Sequence, residues 1–148
     1  MKKVLAVSSG GGHWIQLLRL QSAFGGCEVI YASVNDSYQK DVTECQYYTI
    51  KDATQWDRFG IIKLAFQILW ILLKERPDVI ITTGAAPGFL SIVLGKLIRA
   101  KSVWVDSIAN AEVISLSGKK VGKFADLWLT QWEHLAKPNG PYFQGSVL

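Results

Sequence analysis

Val4-Leu5-Ala6-Val7-Ser8-Ser9-Gly10-Gly11-Gly12-His13 passes from an apolar run through three glycines to a histidine, and this passage decides the fold. Val4 to Ser8 reads as a buried strand. His13 to Phe24 carries Ile15, Leu17, Leu18 and Leu20, the pattern of a short helix. A strand that enters a helix through a glycine loop presents backbone N–H groups at a helix N-terminus, where the macrodipole favours an anion. A tight turn without a ligand would have the same shape, but three consecutive glycines are an entropically costly way to make one. Gly10, Gly11 and Gly12 are therefore candidates for holding a phosphate or diphosphate. His13 stands in the first turn, where the dipole opposes an imidazolium and leaves a neutral ring able to accept a proton. It is a candidate general base, or else a cap or phosphate contact.

Outward from this passage, Cys27 to Ala32 reads as a second strand and Gln46 to Ile50 as a weak third. Asp78 to Thr83 is a fourth after the break at Pro77, Lys101 to Asp106 a fifth and Asp126 to Gln131 a sixth. Phe59 to Arg76 and Pro87 to Arg99 have helical length, and a short helix is expected near Gly118 to Phe124. Strands alternating with helices imply an α/β, Rossmann-like parallel sheet with helices on both faces, in a single domain spanning residues 1–148.

Ligands of such sheets sit beyond the carboxyl ends of the strands. Besides the glycine loop, two segments there stand out: Gly84-Ala85-Ala86-Pro87-Gly88 and Asp106-Ser107-Ile108-Ala109-Asn110. The small residues let a ligand approach the backbone, so Gly84, Gly88, Ser107 and Asn110 join the candidate binding set. Asp106 could orient His13 or serve as the base itself. His134, beside Glu133, reads as a surface residue.

The dinucleotide fingerprint needs a further glycine near Ile15, and only Asp36 supports a ribose contact; a phosphate-binding Walker loop lacks its Gly-Lys-Ser/Thr. No cofactor is expected. Cys27 and Cys45 fit no metal spacing, so no metal is expected either, and the Met1-Lys2-Lys3 start favours a reducing cytosol. A net charge of +4, with dispersed basic residues, singles out no nucleic-acid surface. Six tryptophans exceed what a small core needs and point to a surface that meets membrane, sugar or a partner, beside ordinary core packing. Ile61 to Leu73 is apolar around most of its circumference and too short to span a bilayer. It is either buried against the sheet or interfacial, with Trp70, Lys63 and Lys74 as anchors. Lys119, Lys120 and Lys123 form a basic cluster that meets lipid headgroups or is simply solvated.

Ser8 to His13, Thr82-Thr83-Gly84 with Pro87-Gly88, Asp106-Ser107, Ile114-Ser115-Leu116-Ser117-Gly118-Lys119, Ala125-Asp126, Gln131-Trp132 and Tyr142 to Gly145 together resemble the PssD-type accessory proteins of bacterial capsule and exopolysaccharide synthesis. These are similar to the membrane-recruiting subunit of the eukaryotic dolichol-linked N-acetylglucosaminyltransferase. The resemblance covers nearly the whole chain. It implies the N-terminal, MurG-like, acceptor-side half of a GT-B glycosyltransferase split in two. A second subunit would bind the UDP-sugar, the acceptor would be a polyprenyl-diphosphate-linked sugar, and transfer would proceed with inversion. Gly10 to His13 would face the acceptor's diphosphate or the reaction centre. The eukaryotic members usually carry glutamate where Asp106 stands and begin with a membrane-spanning segment. Here attachment would be peripheral, on the cytoplasmic face of the cell membrane. A catalytically silent membrane recruiter and a small dinucleotide-binding oxidoreductase are the alternative readings.

Overall fold

The computed structural model describes residues 1–54 and 56–147. Seven parallel strands, β1 (Lys3–Val7), β2 (Glu28–Ser33), β3 (Gln46–Thr49), β4 (Val79–Thr82), β5 (Lys101–Val105), β6 (Leu127–Thr130) and β7 (Tyr142–Phe143), form one sheet in the order β3-β2-β1-β4-β5-β6-β7. The order reverses at β1, where the chain runs outward on either side. This is the switch point at which open α/β sheets form a ligand crevice.

The apolar runs divide their residues between the two faces of the sheet, as parallel strands covered on both sides require. Leu5, Val7, Ile30 and Ile80 pack with Leu64, Ile68 and Leu72 of α2 (Arg58–Glu75). On the other face Val4, Ala6, Tyr31 and Val105 pack with Trp14 and Leu17 of α1 (Gly12–Arg19). Trp104, fully buried, joins Ile92 of α3 (Ala85–Gly95) and Val121 of α4 (Leu116–Val121). Asp57 starts α2 by accepting the Gly60 N–H at 2.9 Å. Arg76 ends it in the left-handed conformation at φ 45°, one residue before Pro77.

The expected six strands are present, with boundaries shifted by a residue or two, and the structure adds β7, which two residues of sequence could not signal. The first helix is shorter than expected. It stops at Arg19, where the Leu20 N–H turns to the Leu17 carbonyl, and Gln21–Phe24 follow as a separate 3-10 turn. α3 starts at Ala85 rather than Pro87, since proline is tolerated in a first turn. α4 starts at Leu116 rather than near Gly118, because the Ser115 hydroxyl caps it by accepting the Gly118 N–H at 2.9 Å.

The helix expected to be buried or interfacial has two apolar faces. Leu64, Ile68, Ile71 and Leu72 are buried, whereas Phe59, Ile62, Phe66, Trp70 and Leu73 are at least half exposed. At about 100° per residue the exposed five fall on one stripe opposite the buried four. Lys74 Nζ lies 4.8 Å from the Trp70 ring centre, a cation–π pair at the edge of that stripe.

Candidate functional site

A cleft of about 460 Å³ opens at the carboxyl ends of β1, β3, β4 and β5, large enough for a small-molecule site. Its walls are Ser9 and His13 after β1, Asp52, Ala53 and Thr54 after β3, Thr83 to Pro87 after β4, and Asp106, Asn110, Ser115, Leu116 and Ser117 after β5. The three loops singled out in the sequence therefore meet in one place. The turn after β3 is a fourth wall that the sequence reading passed over. The signal was available: β3 is a strand of the same sheet, and the residues following it obey the same rule as the others.

His13 is fixed at both its backbone and its ring. Thr83 Oγ1 donates to the His13 carbonyl at 2.6 Å, and the ring Nδ1 lies 2.9 Å from the Thr83 carbonyl oxygen. A carbonyl only accepts, so Nδ1 carries the hydrogen. In the neutral ring Nε2 is then the acceptor, and among the described residues it has no partner. Gly84 makes room for the imidazole: a Cβ there would lie 3.1 Å from His13 Cε1 and 3.2 Å from Nδ1. Gly84 also holds φ at 130°, a conformation that side-chain-bearing residues rarely adopt.

The three glycines of the first loop have different reasons. A Cβ on Gly10 would stand 3.1 Å from the Tyr38 hydroxyl, and Gly11 has φ 66°. The Gly11 N–H donates to that same hydroxyl at 2.9 Å, while the Tyr38 ring stacks on Trp14 with centroids 4.8 Å apart. The expected anion cradle is thus partly occupied by the protein itself. Gly12 is different: no atom lies within 4 Å of its missing Cβ, and its backbone does not require glycine. The donors left for a ligand at the start of α1 are the Gly12 and His13 N–H groups, and none of the three glycines lines the cleft.

Asp106 takes a different part from the one expected of a base. Asp106 is 1% exposed, and its carboxylate receives four hydrogen bonds. Trp104 Nε1 at 3.0 Å and Ser115 Oγ at 2.6 Å donate to Oδ1, and the Ser115 N–H at 3.1 Å and Asn110 Nδ2 at 3.2 Å donate to Oδ2. These fill the acceptor capacity of a carboxylate. Asp106 instead ties residues 106–115 together, and Gly118 is glycine because a Cβ would meet Asp106 Oδ1 at 2.5 Å.

Two further expected binding residues lie outside the cleft. Gly88 is buried against Thr82, whose Oγ1 would sit 2.1 Å from an added Cβ, so it is a packing glycine. Ser107 is buried and accepts a hydrogen bond from Gln16 Nε2 at 3.1 Å. That bond belongs to a network the sequence did not announce. Gln131 Nε2 donates to Gln16 Oε1 at 2.7 Å and to the Asp106 carbonyl at 2.9 Å, and Gln16 Oε1 also accepts the Ile108 N–H. Helix α1, the loop after β5 and the end of β6 are thereby locked together. Asp36, the sole support for a ribose contact, accepts a hydrogen bond from the Thr49 hydroxyl and does not line the cleft. His134 is exposed, as expected, with its ring against the Ala111 carbonyl. Lys63, Lys74, Lys119, Lys120 and Lys123 are all exposed, the first two on α2 and the others on or just after α4. Among the described residues no group of three or more His, Cys, Asp or Glu could hold a metal, and no helix is long and apolar enough to cross a membrane.

This architecture has clear counterparts. The structure superposes on Acinetobacter baumannii MurG with a TM-score of 0.81 at 15% identity, over 100% of this chain and 46% of that one. It superposes on the UDP co-structure of Staphylococcus aureus MnaA with a TM-score of 0.68 at 16% identity, over 88% of this chain and 38% of that one. At such identities the likeness is one of fold: this sheet corresponds to the N-terminal half of the MurG-like GT-B architecture. In sequence, the UDP-N-acetylglucosamine transferase subunit alg14 of Schizosaccharomyces pombe is 40% identical over 88 residues, covering 55% of this chain and 34% of the relative. Candida albicans ALG14, of the same description, is 28% identical over 152 residues, covering 84% and 68%. The chain thus spans about a third of the fission-yeast relative's length and less than half of either structural counterpart. The family described as "Oligosaccharide biosynthesis protein Alg14 like" matches residues 5–145, nearly the full span of the sheet and every wall of the cleft, and the chain belongs to that family.

Proposed function

We propose that this chain is the acceptor-side, membrane-associating subunit of a two-subunit inverting glycosyltransferase. A second subunit binds the UDP-sugar, and the acceptor is a polyprenyl-diphosphate-linked sugar of capsule or exopolysaccharide synthesis. The observation that carries the reading is the His13 ring, held by Nδ1 on the Thr83 carbonyl with Nε2 left for substrate, at the mouth of one half of a GT-B fold. In the reaction the acceptor hydroxyl oxygen attacks the anomeric carbon of the donor. Its proton passes to His13 Nε2, the bond from that carbon to the diphosphate breaks, and UDP leaves on the partner. In this reading the N–H groups that start α1 and α3 hold the acceptor's anionic part. The subunit names of the yeast relatives, UDP-N-acetylglucosamine transferase subunits, support N-acetylglucosamine as the sugar and a division of labour between chains. The test is reconstitution with radiolabelled UDP-N-acetylglucosamine and a farnesyl-diphosphate-linked sugar. Label reaches the acceptor only when this chain and its donor-side partner are both present; transfer by this chain alone overturns the split.

Membrane contact is assigned to the exposed stripe of α2, with the lysines of α2 and α4 toward anionic headgroups on the cytoplasmic face of the cell membrane. Trp70 and Phe66, 55% and 68% exposed, are its largest side chains near the middle. Burying each contributes roughly 1.5–3 kcal/mol, so Phe66→Ser with Trp70→Ser is expected to weaken sedimentation with phosphatidylglycerol vesicles by at least about a hundredfold. The cleft and the buried face of α2 are untouched by that pair. Unchanged sedimentation would remove the stripe from the membrane.

A further inference from the structure

Among the described residues no lysine or arginine lines the cleft. Its two negatively charged side chains are carboxylates, Asp52 and Asp106, and they differ in what they already do. Asp106 is buried and takes four hydrogen bonds from the protein. Asp52 is exposed, lines the cleft from the turn after β3, and among the described residues receives no hydrogen bond and pairs with no cation. A cleft of this composition is poorly suited to an anion inside it. Positive partial charge is supplied by two helix N-termini beside it, where the Gly12 and His13 N–H groups start α1 and the Ala85 and Ala86 N–H groups start α3.

We propose that Asp52 is the specificity-determining residue for the acceptor. Its carboxylate takes the hydrogens of two ring hydroxyls of an uncharged sugar seated between the turn at residues 51–54 and His13, and its charge turns away a sugar that bears a carboxylate. This rests on the glycosyltransferase reading and deepens it. An ionised carboxylate is an acceptor-only group with two oxygens, so it suits a pair of neighbouring hydroxyl donors and nothing anionic. The Thr54 and Ser117 hydroxyls, exposed or half-buried on the same walls, supply neutral partners that can donate to or accept from the remaining ring oxygens. The arrangement divides the ligand: the sugar lies inside with Asp52, and the diphosphate lies at the rim with the two helix N-termini. His13 then stands at the sugar, within reach of a hydroxyl proton, rather than at the phosphates.

The test uses the full chain with its donor-side partner and two acceptors, farnesyl-diphosphate-linked glucose and farnesyl-diphosphate-linked glucuronic acid. Hydrogen bonds to a charged group are strong enough that Asp52→Asn and Asp52→Ala are expected to raise the KM for the glucose acceptor by about ten- to a hundredfold, with kcat held within a few-fold. Asp52→Lys is expected to reverse the preference and make the glucuronic acid compound the better acceptor. An unchanged KM in all three variants overturns the proposal, and so does a fall in kcat alone, which would place Asp52 in proton transfer. A second measurement needs no partner: saturation-transfer NMR of the full chain with the glucose compound. The sugar-ring protons should receive saturation from the wild-type chain and lose it in Asp52→Ala. If the wild-type complex transfers to neither acceptor, the glycosyltransferase reading fails, and the NMR arm alone decides Asp52. Equal saturation of both chains, or none with wild type, overturns it.

Discussion

Asp106→Ala is expected to lower the melting temperature by about 10 °C, the largest stability loss of any single change in the cleft. The carboxylate is buried and receives four donors, among them the indole N–H of Trp104, which is itself fully buried. Removing it leaves that indole, the Ser115 hydroxyl and N–H and the Asn110 amide without their acceptor. The penalty for buried donors stripped of a charged partner is about 3–5 kcal/mol here, given that some of them can reach water at the loop surface. For a chain of this length each kcal/mol moves the midpoint by about 2–4 °C. Asp106→Asn keeps the shape but turns amide hydrogens toward the donors on one oxygen's side, so it should lose much of the same stability. Ser115→Ala removes one bond to Asp106 and the cap of α4, and its cost should be nearer 1–2 kcal/mol. Thermal unfolding followed by circular dichroism reads all three. If Asp106→Ala unfolds within a degree or two of wild type while its complex loses transferase activity, Asp106 acts on the reaction and the architectural role is wrong.

The contrast between Asp106 and Asp52 shows what the sequence made legible and what it withheld. The order of strands, the parallel sheet and the three loops at its carboxyl edge follow from apolar runs ending in small or polar residues, because burial on both faces forces that pattern. The parts played within the loops do not follow from it. An aspartate ending a strand and an aspartate in a turn look alike in sequence. Only the fold brings Trp104, Asn110 and Ser115 onto the first and leaves the second without a partner among the described residues. Likewise a run of glycines announces close approach but not by what: Gly10 admits a tyrosine of the same chain, Gly84 a histidine ring and Gly88 a threonine, while Gly11 and Gly12 leave space. The second apolar face of α2 was visible as excess apolar residues, since a helix covered on one side has no need of Phe59, Phe66 and Trp70 on the other. The weak β3 drew no attention to the turn behind it, so Asp52 went unseen although the rule that found the other loops applied to it.

His13→Ala is expected to reduce transfer by about 10²–10⁴-fold while leaving the fold intact, the contribution usual for a positioned proton acceptor. The change removes the ring without disturbing the Thr83 hydroxyl bond to the His13 backbone carbonyl, and the Thr83 carbonyl it exposes lies at the edge of an open cleft that water can fill. Stability should therefore fall by no more than about 1 kcal/mol, which separates this variant from Asp106→Ala. The loss should appear in kcat, since the hydroxyl proton has nowhere to go in the transition state, with the acceptor KM little altered. His13→Gln sharpens the point. A glutamine amide can donate to a carbonyl as Nδ1 does, but its oxygen is too weak a base to take the proton, so a positioned amide should restore little activity. A merely ligand-contacting His13 would be replaced by glutamine with a modest rise in KM. A catalytically silent recruiter predicts a third result, full activity of the His13→Ala complex, because its cleft would then be idle. Gly84→Ala offers the converse experiment. It keeps the imidazole and pushes it, since the added methyl would sit 3.1–3.2 Å from the ring on a backbone held at φ 130°. If proton transfer depends on where Nε2 points, that methyl should cost kcat although every functional group in the cleft is still present.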